Sequence, residues 1–202
     1  MSPAEPRLAA ERLRGSLGSC RIGCELRVLD ETTSTNDFVF KVTDAQTPEG
    51  FTVFAEQQTA GRGQHGKRWE SAAGKGLWFS ILLRPNLAPE QAPRLTAWAA
   101  QSVAETLRNE LSLGATVKPP NDVYLGERKV AGVLLEMRAV PNAAHVGILG
   151  IGINVNHRAE DFPDELRERA ASLAMVLGRA VDRTALALAV LGHLNRTYGA
   201  NF

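Results

Sequence analysis

Apolar and polar residues alternate through "ELRVLDE", Glu25 to Glu31, the period-two pattern of a half-buried strand. "TTSTNDFVFKV" follows, with hydroxyls suited to a helix N-cap and Phe38, Val39 and Val42 at helical spacing. "FTVFAEQ" and "GLWFSILLRP" read as strands, the second ended by Pro85. From Pro89 to Leu113 the positions Leu95, Trp98, Ala99, Val103 and Leu107 fall on one face of a long amphipathic helix. "ATVKPPNDVYLGERKVAGVLLEM" predicts two strands joined by a tight turn at Gly126-Glu127, and "HVGILGIGINVN" predicts another strand. Two helices close the chain, roughly Asp164 to Leu177 and Asp182 to Tyr198, while residues 1 to 20 read as a short helix or a loose tail. A strand-rich middle among several helices predicts an α+β fold, a mixed, largely antiparallel sheet flanked by helices.

The chain has 202 residues, 44% hydrophobic and 22% charged, enough for one domain with a substantial core. A net charge of +1 gives no reason to expect a nucleic-acid or membrane-seeking surface, so any anion binding must be local. Cys20 and Cys24 have no companion ligands at zinc spacing and fit reduced thiols. The N-terminus lacks an apolar leader core and no run approaches the ~18 apolar residues of a membrane span, which predicts a cytoplasmic protein. His65, His145, His157 and His193 form no recognisable metal set, neither thiol has a local histidine, and no strand-to-helix serine elbow occurs. Any chemistry should then rest on orientation and charge stabilisation.

"QQTAGRGQHGKRW", Gln57 to Trp69, contains glycines spaced as in a dinucleotide fingerprint. That motif requires a helix after its last glycine, whereas Gly66 is followed by two further glycines and a strand. From Gln57 to Gly76 the connection is about twenty residues long, a length that is functional or disordered in compact domains. Arg62, Lys67, Arg68 and Lys75 oppose only Glu70 within it. Such a loop can fold over an anionic ligand, or it can be a solvated basic loop.

In "ILGIGINVN" the residues Leu149, Ile151, Ile153 and Val155 share one face, and Gly150, Gly152, Asn154 and Asn156 share the other. Bare positions on a strand face suit a ligand, a second backbone or close packing. In "KPPNDVYLGERKVAG" the proline pair holds Lys118 extended and presents Asn121 and Asp122 just before a strand. Asp122 could coordinate magnesium, which binds protein through one or two carboxylates plus phosphates, or serve as a turn residue. Lys129, amid apolar strand residues, either reaches solvent or aims at an anion in a cleft.

"STND" at Ser34 to Asp37, "EQQTAGRGQHGKRW" at Glu56 to Trp69, "KPPNDVYLGERKVAGVLLE" at Lys118 to Glu136 and "GIGINVN" at Gly150 to Asn156, in this order, resemble the catalytic domain of biotin protein ligases. The match spans most of residues 25 to 200. The resemblance implies a fold related to lipoate ligases and class II aminoacyl-tRNA synthetases. It also implies two steps: the biotin carboxylate attacks the α-phosphate of Mg-ATP, and a lysine of a carboxylase biotin carrier domain captures the acyl-adenylate. Ser34, Thr35, Asn36 and Gln58 would bind biotin, and Arg62, Gly63 and Gln64 would close over biotin and adenylate. Trp69 and Asn154 would support the nucleotide, and Lys129 would hold the carboxylate and then the acyl-phosphate. Asn121 and Asp122 would serve the phosphate and metal side, with Gly132, Gly150 and Gly152 leaving room for ligand. The loop would then be a lid that keeps a reactive mixed anhydride from water.

Three departures stand out. Gln64 replaces an arginine common in G-R-G-R-R-G, and Pro119 replaces the tryptophan of K-W-P-N-D, removing a cation and an aromatic wall. Only 24 residues precede the first strand and the chain stops at Phe202, so neither a winged-helix DNA-binding domain nor an SH3-like C-terminal domain is expected. The resulting expectation is a segment 1–24, a catalytic domain 25–202 and no DNA partner, with homodimerisation through the sheet left open. A lipoate or octanoate ligase of the same fold, and a non-catalytic biotin-binding relative, are the alternatives.

Overall fold

The computed structural model describes residues 6–17, 20–85, 87, 89–138 and 146–202. Seven strands among them form one sheet. Its order is β1 (Leu26–Thr32), β2 (Thr52–Gln58), β3 (Gly76–Leu83), β7 (Val146–Asn154), β6 (Arg128–Arg138), β5 (Asp122–Leu125) and β4 (Ala115–Lys118). β1 and β2 are parallel and every other neighbouring pair is antiparallel, the mixed α+β architecture that the pattern predicts. Parallel neighbours need a crossover, and helix α2 (Thr35–Val42) supplies it between β1 and β2.

Period-two alternation divides the sheet into two unlike faces. On one, Leu77, Phe79 and Ile81 of β3 and Leu149, Ile151 and Ile153 of β7 join helix α3 (Ala92–Leu111) and helix α5 (Arg183–Asn201) in the main core. Leu95, Ala99, Val103 and Leu107 of α3 are fully buried there, each large side chain contributing about 1.5–3 kcal/mol. α1 (Ala10–Leu17) packs on α5 and β1, burying Leu13. On the other face α2 covers only one end, over Val53, Leu82 and Ile148. The remainder of that face is where the candidate site lies.

Two elements differ from expectation. Asp164 to Leu177 is not one helix: a 3-10 turn at Asp164–Leu166 is followed by a turn at 167–169, a bridge residue at Ala170 and then α4 (Leu173–Leu177). Lys129 pairs in parallel with Ala170, donating its N–H to Arg169 O at 2.8 Å and accepting from the Ala171 N–H at 3.0 Å. Those bonds to β6 override the local helical pattern, and Ser172 caps a new helix through the Met175 N–H. The stretch before Gly126 also holds an extra turn, because β4 and β5 form a hairpin in which Lys118 faces Asp122 across Pro119-Pro120. His145, placed in a strand by the pattern, lies outside the described residues. Cys20 and Cys24 are free thiols. Among the described residues no helix is long and apolar enough to cross a membrane.

Candidate functional site

The floor of the site is built from β3, β7 and β6 by register. Trp78, Gly152 and Gly132 form one row, and Ser80, Gly150 and Leu134 form the next. A methyl group on Gly150 would sit 2.5 Å from Asn36 Oδ1, and one on Gly152 would sit 2.6 Å from the Trp69 indole. On Gly132 it would meet the same indole at 2.8 Å. The sequence reading gives the bare face to a ligand; here the glycines also admit Asn36 and Trp69, which approach the floor themselves.

One end of the cleft is polar and buried. Ser34 occupies the N-cap position of α2, yet its hydroxyl makes no capping bond. The Thr35 hydroxyl donates to Gln58 Oε1 at 3.1 Å, and Gln58 Nε2 donates to Ser71 Oγ at 3.1 Å. Ser80 Oγ lies 2.7 Å from Thr35 Oγ1 and 2.5 Å from Asn36 Oδ1. The Thr35 N–H also donates to Gln58 Oε1 at 2.9 Å, so these oxygens are partnered within the protein, while the Thr35, Ser80 and Asn36 oxygens keep further lone pairs able to accept. A ligand bringing N–H groups can use those lone pairs, whereas an apolar ligand takes water from them and returns no hydrogen bond.

The basic loop is pinned by bonds within its own backbone. Trp69 N–H donates to Gly61 O at 2.9 Å and Gly63 N–H to Lys67 O at 2.7 Å, closing a small hairpin with Arg62 opposite Arg68. Its turn uses left-handed backbone at His65 and Gly66, φ +57° and +72°, which glycine adopts without strain. Arg62 lies against Asp37 and Glu136. Hydrogen bonding to Arg62 holds the Asp37 carboxyl below its ordinary range. Burial pushes Glu136 up, but the Asn36 amide and the Arg62 and Arg138 charges outweigh it and leave that carboxyl low.

Lys129 stands between this polar end and a second, wider compartment. Its Nζ is 2.7 Å from Asp122 Oδ1 and 5.1 Å from the Trp69 ring centroid, so it is held by an acid and a π face rather than released to solvent. The ion pair is poorly aligned as a hydrogen bond, and buried Asp122 Oδ1 keeps acceptor capacity. Asn121 Nδ2 is fixed on Val133 O at 2.9 Å, and Asn154 Nδ2 on Ala171 O at 3.2 Å. Phe162 and Leu166 add an apolar wall. Behind Phe162, buried His157 stacks at 4.9 Å, and burial pushes its pKa down to about 4.

Every site residue expected from the sequence lines one of these two adjoining compartments. Ser34, Thr35, Asn36, Gln58, Arg62, Gly132, Gly150 and Gly152 border the first, and Asp122 and Asn154 the second. Gly63, Gln64, Trp69, Asn121 and Lys129 border both. Sequence reasoning missed Ser80, Asp37 and Glu136, although period-two counting from Trp78 and from Gly132 reaches Ser80 and Glu136. It also missed Leu166, in a stretch patterned like a helix, and Phe162 just before that stretch, neither of which carries a signal. Among the described residues no cluster of three or more His, Cys, Asp or Glu side chains could hold a metal. Asp122 nonetheless borders the wider compartment, and magnesium takes one carboxylate when phosphates and water complete its shell; Asp122 Oδ1 is buried against Lys129 Nζ at 2.7 Å, so an ion would use Oδ2.

The model of the biotin/lipoate A/B protein ligase family matches residues 28–154. The bifunctional ligase/repressor BirA of Bacillus spizizenii is 34% identical over 192 residues, 95% of this chain and 59% of that protein. The chain thus spans less than two thirds of that relative, whose name includes a repressor function, so the comparison lends no support to the expectation of no DNA partner. The biotin-[acetyl-CoA-carboxylase] ligase of Mycobacterium tuberculosis is 30% identical over 200 residues, 95% of this chain and 70% of that protein. Among solved structures, the biotin protein ligase from Aquifex aeolicus in complex with biotin and ATP superposes with a TM-score of 0.76 and 35% identity, covering 87% of this chain and 70% of that one.

Proposed function

We propose that this chain, which belongs to the biotin/lipoate A/B protein ligase family, activates biotin with ATP and transfers the biotinyl group to a lysine of a carboxylase biotin carrier domain. The observation that supports the choice of biotin is the polar end lined by acceptor oxygens at Thr35, Asn36, Gln58 and Ser80. A ureido ring brings two N–H donors to it; the dithiolane of lipoate or the tail of octanoate brings none.

In the first step a biotin carboxylate oxygen bonds to the α-phosphorus of ATP and the bond to the β-phosphate oxygen breaks, releasing pyrophosphate. In the second the carrier amine attacks the acyl carbon, an amide forms, AMP leaves and the amine loses a proton. Lys129, which borders both compartments, would hold the carboxylate against the α-phosphate and stabilise charge on the acyl-phosphate oxygens. Asn121 and Asn154 border the nucleotide compartment with their amides fixed. Asp122 would hold magnesium, which neutralises phosphate charge. Trp69, Gly63 and Gln64 border both compartments and would shield them from water, keeping the anhydride for the carrier.

Biotin-dependent exchange of labelled pyrophosphate into ATP tests this reading. Exchange with biotin, and at least about a hundredfold less with lipoate or octanoate, is expected. Lys129→Ala should reduce exchange by about a hundredfold or more, the scale of removing one transition-state charge partner. Exchange with lipoate alone, or none with any acid, would overturn it.

A further inference from the structure

Arg62 brings a positive charge to the loop, and the resemblance directs that charge at the adenylate. Its surroundings give the guanidinium a different employment. Arg62 forks onto Asp37, Nη1 meeting Oδ2 and Nη2 lying 2.8 Å from Oδ1. Nη2 also lies 3.0 Å from Glu136 Oε2. That same oxygen accepts from Asn36 Nδ2 at 2.8 Å, and Oε1 accepts from Arg138 Nη2 at 3.0 Å. Two carboxylates thus face two guanidiniums, and Arg62 has little unspent charge for a phosphate. Asp37 belongs to α2 and Glu136 to β6, both parts of the fixed frame, whereas Arg62 belongs to the hairpin of the loop. A planar fork gripping a carboxylate is directional, which suits a fastening more than a diffuse field.

We propose that Arg62 is the latch of the loop, and that Asp37 and Glu136 are positioning residues that receive it and hold the loop over the biotin compartment. Through Asn36, Glu136 also ties the latched loop to the polar end of that compartment. The proposal rests on the biotin reading above for its ligand, but not for the latch itself. Neither acid touches a reacting atom. A fastening of this kind acts on escape rather than entry, so its loss appears mainly in the dissociation rate. The three side chains are one-fifth to two-fifths exposed, so solvent screening keeps the grip moderate.

The test uses the full chain and the variants Asp37→Asn, Glu136→Gln and Arg62→Met, with thermal midpoints checking the fold. In the ligand-free protein, trypsin cleavage after Lys67 and Arg68, mapped by mass spectrometry, should be several-fold faster in Asp37→Asn and Glu136→Gln. Biotin dissociation, followed by stopped-flow displacement of a fluorescent biotin, should quicken about tenfold, the equivalent of one lost charge-assisted pair, with association within about twofold. Both effects of Asp37→Asn should vanish in the Arg62→Met background, because the partner is already gone. A general structural role for Asp37 would persist there. Wild-type cleavage rates in the acid variants, or an Asp37→Asn effect undiminished by Arg62→Met, would overturn the latch. Fast cleavage in those variants from a wild type that binds no biotin would instead sustain the latch and overturn the choice of ligand.

Discussion

At Gly150 one missing methyl group sets the shape of the polar end. A side chain there meets Asn36 Oδ1 at 2.5 Å and Asn36 Cγ at 3.1 Å. Asn36 cannot simply turn aside, because Nδ2 is engaged by Glu136 and Oδ1 by Ser80. Gly150→Ala should therefore break one of those bonds and weaken biotin binding at least about tenfold by calorimetry, while overpacking costs about 1–3 kcal/mol of stability. Undiminished biotin affinity would mean that Asn36 rotates freely and does not shape the pocket. The sequence shows the glycine and its face by period-two counting; it does not show that Asn36, over a hundred residues earlier, occupies the space. Glu136 and Ser80 were within reach of the same counting, yet their partnership with loop and helix residues is a tertiary fact that no local pattern encodes.

For the loop as an element, anchoring matters as much as composition. Arg183 Nη1 lies 2.8 Å from Glu56 Oε2 and 3.1 Å from Gly76 O, so one guanidinium binds the residues just before and after the long connection. Leu8 N–H donates to Glu56 Oε1 at 2.6 Å, and Arg183 Nη2 donates to Pro6 O at 2.7 Å, joining the N-terminal segment to the same anchor. The pair is almost wholly buried, with side chains 3% and 10% exposed. Arg183→Met should cost about 3–5 kcal/mol in urea unfolding, since it strands a buried carboxylate. Adding Glu56→Gln should recover part of that loss, and a strictly additive double variant would dismiss the coupling. Element boundaries were legible where apolar periodicity and packing agree, as in α3 and β7. They were not where long-range bonds prevail: Asp164 to Leu177 has helical spacing, but its backbone bonds to Lys129 draw Ala170 into a bridge with β6 instead.

On the scale of the whole molecule, acid sensitivity follows from a single buried imidazole before it follows from the carboxylates. His157 is 2% exposed, stacked on Phe162 and set edge-on to Trp78 at 5.6 Å. Burial is the main cause of its pKa falling to about 4, with Asp161 opposing and Lys75 assisting. In the unfolded chain the group titrates near the ordinary 6.5. Between those values the unfolded state binds a proton that the folded state refuses, so stability is full above the upper value and falls as pH drops toward the lower. The slope from this one group approaches about 1.4 kcal/mol per pH unit. Asp37 and Asp182 have depressed folded values, so the stability that they contribute is lost at lower pH, as their carboxyls protonate. Urea unfolding at about pH 7.5, 6 and 5 should thus show a decline before the carboxylate window opens. His157→Gln should flatten that early decline while leaving the later one in place. An unchanged slope in the variant would assign the early proton to another group and leave His157 as packing alone.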